Sequence, residues 1–377
     1  MERKDLKIGI DAKWFYNGPI SGSLFIQNIL PEMFALHPEI EWHIFLDKRH
    51  KYSGFPYQTE KVRIHHVWAK FNMLSNFIVL PRYAKKIGLD ALFFQTFSPK
   101  GKHYKSIVFV HDVLFRNYPH YFSWKERIYF LPLKWSIRLA DRVLTTSEFV
   151  KNELQQFRYV KRSQPIDTAP SGITEVYKPT EQHDPVSLKK IKEKYDLPDL
   201  YILFTGRLNE RKNITGLIKA FRLLDQKNIF IVIVGKKDWK SPQFTNLLTD
   251  QSLKEKIIFT GSIPDDDLAA IYAMAKIFCF PSFAEGFGLP PLEAMASGIP
   301  VVVSNTTAMP EVCGNAAVFV DPKNEKEIAA KISDLLKNET LYSQKKKEGL
   351  EWSKQYKWKR TAENILQSIF TALNRKQ

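Results

Sequence analysis

The sequence predicts two doubly wound α/β domains, each a parallel sheet covered by helices, facing one another across a ligand cleft. Three observations lead there. The chain has 377 residues, more than one hydrophobic core usually organises. Short apolar runs alternate with helical spans through the first half and again through the second, which is the pattern of parallel strands with crossovers. Several runs, such as Ile107-Val108-Phe109-Val110, are continuously apolar, as in strands covered on both faces.

In the first half the strand candidates are 6–11, 42–46, 62–67, 91–94, 107–110 and 142–145. Gly18, Ser21 and Gly22 make a small-residue loop after the first strand, with a helix starting near Ser23. Such a loop lies where open α/β sheets hold ligands, so a phosphate contact and a plain tight turn both stay open. His111 and Asp112 end the strand 107–110, again on the ligand side, and Asp112 could equally cap the next segment. The stretch 118–139, YPHYFSWKERIYFLPLKWSIRL, mixes aromatics with cations. A helix of this kind suits an anionic membrane surface. Pro132 interrupts it, and the favoured expectation is that the aromatics pack the core while the cations cover a solvated face. Ser147 reads as a helix N-cap, and the charged stretch 178–199 leads into the second half, with a boundary near 175.

The second half gives strands at 201–205, 229–234, 257–260, 277–280, 301–303 and 317–320. The first is followed by Gly206-Arg207-Leu208-Asn209-Glu210-Arg211-Lys212-Asn213. Arg207 and Lys212 suit a site where a departing diphosphate gains charge, since fixed cations stabilise developing negative charge. Arg211 is expected to face solvent. Further turns follow the next two strands at Gly235-Lys236 and Gly261-Ser262-Ile263.

The most informative stretch is 281–305, PSFAEGFGLPPLEAMASGIPVVVSN. Gly286 and Gly288 let the backbone bend and approach a ligand. Pro290 and Pro291 suit the first turn of a helix, expected over 291–296, and Gly298 suits its left-handed cap. The amides of Phe287, Gly288 and Leu289 would then converge on an anion. Glu285 and Glu293 bracket this turn and are better fitted to grip hydroxyls than phosphate. Phosphate and hydroxyls together suggest a nucleotide sugar.

The string E-G-F-G-L-P-x-x-E-A-M-A-x-G-x-P-V-V resembles the signature of retaining glycosyltransferase family 4, whose members have the GT-B fold of two Rossmann-like domains. The G-R-x4-K spacing of Arg207 and Lys212 is similar to a second family motif. The resemblance implies that Glu285 contacts the transferred sugar and Glu293 the ribose, with Gly206, Arg207 and Lys212 at the diphosphate. It implies that His111 lies near the donor sugar, that Lys236 and Ile263 flank the base, and that the Gly18–Gly22 loop approaches donor and acceptor. That loop departs from the family form of adjacent glycines followed by Ile-Gly-Arg. The implied division is an acceptor-binding domain over 1–175, a donor-binding domain over 176–355, and a last helix over 356–377 returning to the first domain. Trp352 and Trp358 are its expected anchors.

The implied reaction moves a hexose, with retention, from a nucleotide-diphosphate sugar to a hydroxyl of a glycan or lipid-linked acceptor, a GDP-mannose-type donor being favoured over a UDP-sugar. Envelope polysaccharide synthesis is the expected setting. No cofactor and no metal are expected, since no Asp-x-Asp or His/Cys cluster stands out. Other sugar-nucleotide chemistry on the same scaffold (epimerase, synthase or phosphorylase) is the alternative, followed by a catalytically silent anion-binding protein.

Composition bounds these readings. The net charge is +16, and about +11 of it falls on residues 1–180, which suits an anionic partner. No basic helix or zinc pattern supports nucleic-acid binding. Two cysteines, Cys279 and Cys313, are too few for a disulfide framework, and the apolar runs are shorter than a membrane span. A cytoplasmic setting, with peripheral contact to the inner membrane face, is the expectation.

Overall fold

The computed structural model describes residues 6–374 except 69, 226–227, 237–246 and 248. The chain divides into two compact units, Met1–Gly172 with Lys357–Gln377, and Ile173–Tyr356.

The first unit holds β1 (Lys7–Asp11), β2 (Glu41–Asp47), β3 (Val62–Val67), β4 (Ala91–Gln95), β5 (Lys105–Val110), β6 (Arg142–Thr145) and β7 (Ile166–Thr168). They form one parallel sheet in the order β3-β2-β1-β4-β5-β6-β7. The order reverses between β1 and β4, and the crevice beyond such a reversal is where open α/β sheets hold ligands. β7 gives no apolar run: its three residues, Ile-Asp-Thr, are half-buried at the sheet edge.

The first helix is Ile20–Leu36, beginning before Ser23 because Ser23 N–H already bonds the carbonyl of Pro19 at 2.9 Å. Gly18 and Gly22 both lie against the Trp14 side chain. A Cβ would come within 2.5 Å of it at Gly18 and 2.4 Å at Gly22, so these glycines seat an indole. The last helix, Trp358–Ala372, packs on the helix Ile20–Leu36. Trp358 is buried, edge-on to Phe25 at 6.1 Å, and Thr361 donates to the carbonyl of Pro170 at 2.6 Å. Trp352 does not share that role. It ends a separate helix, Glu339–Ser353, in the second unit, where its Nε1 donates to the carbonyl of Val312 at 2.8 Å. A turn at Lys354–Lys357 separates that helix from the last one.

The core-packing expectation for 118–139 fails. Two short helices, Trp124–Phe130 and Leu133–Ile137, meet at Pro132. The break restarts the helical phase, so Leu133 and Ile137 enter the core while Trp124 (62%), Leu131 (75%) and Trp135 (57%) stand exposed. Ser147 caps the helix Glu148–Gln156, accepting from Val150 N–H.

The second unit holds β8 (Tyr201–Thr205), β9 (Phe230–Val234), β10 (Ile257–Gly261), β11 (Ile277–Phe280), β12 (Val301–Ser304) and β13 (Val318–Val320), all parallel, ordered β10-β9-β8-β11-β12-β13. The reversal here falls between β8 and β11. Two parallel α/β sheets in one chain are the GT-B fold that the sequence suggested. Gly206 (φ +131°) and Gly235 (φ +150°) end β8 and β9 in left-handed backbone. A Cβ on Gly235 would lie 1.9 Å from the Gly206 carbonyl oxygen, so glycine is required for these neighbouring strand ends to lie so close. Cys279 and Cys313 are both free and buried.

Candidate active site

The second unit builds its site at the β8/β11 switch point. The loop after β8 runs through Arg207 into a single turn, Glu210–Lys212, capped by Asn209, whose side-chain oxygen accepts from Lys212 N–H at 3.2 Å. Asn213 then takes φ +54° and caps the helix Ile214–Arg222. Its amide nitrogen donates to the carbonyls of Pro281 (3.0 Å) and Pro322 (2.6 Å), which ties the cation-bearing loop to the end of β11. Asn213 ends the string read from the sequence. Its signal there is an asparagine at a helix start, a residue that tolerates left-handed backbone.

Glu285 is only 5% exposed and lies against this loop. Lys212 Nζ is 2.7 Å from one carboxylate oxygen, and an Arg211 guanidinium nitrogen is 2.8 Å from the other. Ser282 Oγ donates to the first oxygen as well, and Thr307 Oγ accepts the Glu285 N–H at 2.9 Å. Burial alone would raise this carboxyl. The charges of Arg211 and Lys212, with the Lys212 and Ser282 hydrogen bonds, outweigh burial and hold it at about 2. Lys212 Nζ also sits 4.6 Å from the Phe280 ring centroid. The expectation for Arg211 is therefore corrected: it is an ion-pair partner of Glu285, and it also donates to the Ala284 carbonyl. Arg207 is exposed on the loop; the cations against Glu285 are Arg211 and Lys212.

The helix after Glu285 spans Leu289–Ala296, two residues longer at its start than the sequence suggested. Gly288 enters it at φ +100°, Pro290 and Pro291 occupy its first turn, and Gly298 turns left-handed just after it at φ +75°. The positive end of its dipole lies at the Gly286–Leu289 turn, which suits an anion, although Pro290 and Pro291 bring no N–H of their own. The Phe287 ring packs edge-on to Tyr356 at 5.9 Å.

Glu293 lies inside the helix, on the β8 side. Tyr272 Oη donates to it at 3.0 Å and is itself 2.5 Å from Thr205 Oγ, at the last residue of β8. Burial pushes the Glu293 carboxyl up to about 7; the Tyr272 hydrogen bond opposes this and nearby Asp265 adds to it. Thr205 precedes Gly206, so the two carboxylates flank one strand end, one held ionised and one held near neutral pH. Lys236 joins through its backbone, its carbonyl accepting from Leu208 N–H at 3.3 Å. Ile263 lies on the turn after β10, partly buried, with no described contact to either glutamate.

The first unit carries its own polar cluster at the β1/β4 switch point. His111 follows β5, packed edge-on to Phe25 (5.4 Å) and Phe109 (4.9 Å). Burial lowers its pKa to about 4, so it is a neutral imidazole at physiological pH. Its Nε2 is 3.4 Å from Gln95 Oε1, and Gln95 Nε2 donates to the Asp11 carbonyl at 3.3 Å. Asp112 receives Leu114 N–H at 3.1 Å, a capping turn. Beside them lies a buried lysine that no motif in the sequence marks: Lys13 Nζ is 2.5 Å from both Asp11 Oδ1 and Asn76 Oδ1. A lysine two residues beyond a strand gives no sign of burial in sequence. Lys13 also lines a cavity of about 640 Å³ within this unit, together with Trp14, Asn17, Asp47 and Arg49. Ser21, by contrast, is exposed on the first helical turn.

Two parallel α/β sheets of the GT-B kind, one carrying a carboxylate clamped by two cations beside a helix start, form the frame of a glycosyltransferase-type enzyme. The glycosyl transferases group 1 family matches residues 187–352, and glycosyltransferase family 4 matches residues 41–175. The O-antigen chain mannosyltransferase B of Escherichia coli is 33% identical over 261 residues, covering 67% of each chain. The serotype-specific mannosyltransferase WbdA of Escherichia coli is 30% identical over 243 residues, 63% of this chain but 30% of that longer protein. In fold the chain is similar to a sucrose-phosphate synthase from Thermosynechococcus elongatus, with TM-score 0.76 at 18% identity over 98% of this chain and 100% of that one. The protein belongs to the group 1, family 4 glycosyltransferases, and is a hexosyltransferase. Among the described residues no helix is long and apolar enough to cross a membrane.

Proposed function

We propose that the protein transfers a mannosyl residue, with retention, from a GDP-mannose-type donor to a hydroxyl of a growing glycan in cell-envelope polysaccharide assembly. The observation that carries this reading is Glu285, a buried carboxylate kept ionised by Lys212 and Arg211 beside the Gly286–Leu289 turn. An ionised carboxylate there can accept hydrogen bonds from sugar hydroxyls, while the turn's amides and the loop cations hold the diphosphate. Glu293 is assigned to the ribose, Arg207 and Lys212 to the leaving diphosphate, and neutral His111 to a sugar hydroxyl. Lys236 and Ile263 are assigned to the base side. The choice of mannose draws support from the O-antigen and serotype-specific mannosyltransferases to which the chain is similar.

The test is transfer from GDP-mannose and UDP-glucose to a panel of oligosaccharide acceptors, with the anomeric configuration of the product read by NMR. Mannose transfer with an α-linked product is the expected result. Transfer from the UDP-sugar alone, or an altered sugar nucleotide formed without acceptor, would overturn it.

A further inference from the structure

Around the cavity of the first unit the surface is apolar where a water-exposed surface is ordinarily charged. Phe71, Leu74 and Ile128 line the cavity and are 55%, 42% and 56% exposed. The apolar surface continues outward from there. Trp124 and Ile128 lie four apart on one helix, Leu131 follows, and Trp135 stacks on Phe77 at 5.1 Å, next to exposed Ile78. Large exposed side chains clustered in this way mark a surface that meets something apolar.

The charge around them has one sign. Lys70 lies 5.8 Å from the Phe71 ring and Lys125 5.7 Å from the Trp124 ring, and Arg82, Arg127 and Lys134 are also exposed. Residues 70–87 contain no Asp or Glu, and 118–140 contain only Glu126. That carboxylate is engaged by Ser123, accepting from its N–H at 2.7 Å and its Oγ at 2.8 Å in a capping box. Two tryptophans and several aliphatic side chains ringed by cations complement an interface of acyl chains and anionic headgroups.

We propose that this face docks on an anionic lipid bilayer. The short helices Trp124–Phe130 and Leu133–Ile137 lie in the headgroup region, with Trp124, Leu131 and Trp135 entering the acyl boundary and Lys125 and Arg127 meeting lipid phosphates. On the glycosyl-transfer reading above, an acceptor anchored in that bilayer passes from the apolar rim at Phe71, Leu74 and Ile128 to the polar cavity wall of Asn17, Asp47 and Arg49. It does so without leaving the membrane.

The test is cosedimentation of the full chain with vesicles of phosphatidylcholine alone or with about three-tenths phosphatidylglycerol added. Binding is expected to the anionic vesicles only and to fall with added salt. The Lys125→Ser/Arg127→Ser variant should bind roughly fivefold more weakly per cation removed. Trp124→Ser/Leu131→Ser/Trp135→Ser should lose binding, with its melting temperature and turnover on a soluble acceptor retained. Equal sedimentation of wild type and both variants would overturn the proposal. So would a doubled mass in lipid-free solution that the triple variant abolishes, which would make the face a contact between copies. Thermal stabilisation by GDP-mannose, measured in parallel, tests the donor reading separately from the docking.

Discussion

Lys212 Nζ and Glu285 Oε1 lie 2.7 Å apart in a nearly dry corner of the second unit, with Arg211 on the carboxylate's other oxygen. Two cations on one buried carboxylate leave a positive excess at the strand end, which is the sign a diphosphate needs. The pair is also structural, because truncating either member strands charge in a low-dielectric place. Lys212→Ala is expected to cost about 3 kcal/mol of stability and, through the diphosphate contact proposed for it, roughly 10²–10³ in kcat. Arg211→Ala should cost comparable stability with a smaller loss of turnover. Denaturant melts paired with steady-state kinetics separate the two, and equal kinetic losses would argue against a special role for Lys212.

The same carboxylate sets acid sensitivity. Glu285 is held at about 2 when folded, well below its ordinary value of 4.5, so its contribution is fully present above about 4.5 and lost as pH falls toward 2. The shift corresponds to about 3 kcal/mol. Glu293 behaves oppositely. Its folded value is raised to about 7, so its contribution is present below about 4.5 and lost as pH rises through 7. Glu293→Gln should therefore flatten the alkaline side of the stability profile between about pH 5 and about pH 8 and, if the ribose assignment proposed above holds, weaken nucleotide binding. Melting temperature against pH for both proteins is the measurement, and an unchanged slope would refute the assignment.

Gly235 and Gly206 test the strand-end geometry. Gly235→Ala places a methyl group 1.9 Å from a backbone oxygen at φ +150°, and neither partner can move without breaking the β8–β9 ladder. A loss of roughly 3 kcal/mol or more is expected. Gly54 is the control: its φ is +69° but nothing lies within 4 Å of the added Cβ. Gly54→Ala should cost only about 1 kcal/mol. Comparable losses at the two sites would mean that backbone conformation, not the close approach, is the constraint.

The strands were legible because a parallel strand buried on both faces must be continuously apolar, as in 107–110 and 277–280. β7 was not, because an edge strand of three half-buried residues carries no such run. Glu285 and Lys212 could be singled out by motif spacing, whereas Arg211, one residue away, could not. Whether a loop arginine faces water or turns in depends on the single turn Glu210–Lys212 and its Asn209 cap, a tertiary outcome. The exposure of Trp124 and Trp135 was equally hidden: periodicity shows which residues share a face, and Pro132 reset that phase partway. Lys13 carries no such sign either: Asp11 is its near neighbour in sequence, but the burial and the second partner, Asn76, come only from the fold.

Lys13 and Asp11 therefore offer the sharpest test of the first unit. Burial lowers the Lys13 pKa, and the neighbouring Asp11 charge and hydrogen bond oppose that, so the ammonium persists only while its partners stay. Asp11 Oδ2 is buried without a hydrogen-bond partner, leaving Lys13 and the Lys13 N–H on the other oxygen as the groups that compensate its charge. Lys13→Met should cost about 3–5 kcal/mol, because it leaves an uncompensated carboxylate in the interior. Asp11→Asn alone should be comparably harmful, since it leaves the ammonium with Asn76 and only the more distant charge of Asp47. The double variant Asp11→Asn/Lys13→Met removes both charges at similar volume and should recover most of the loss. Chemical denaturation of the four proteins yields the coupling energy directly. Strictly additive single losses would show that the two groups are not a pair, and the polar floor of this cavity would then need another explanation.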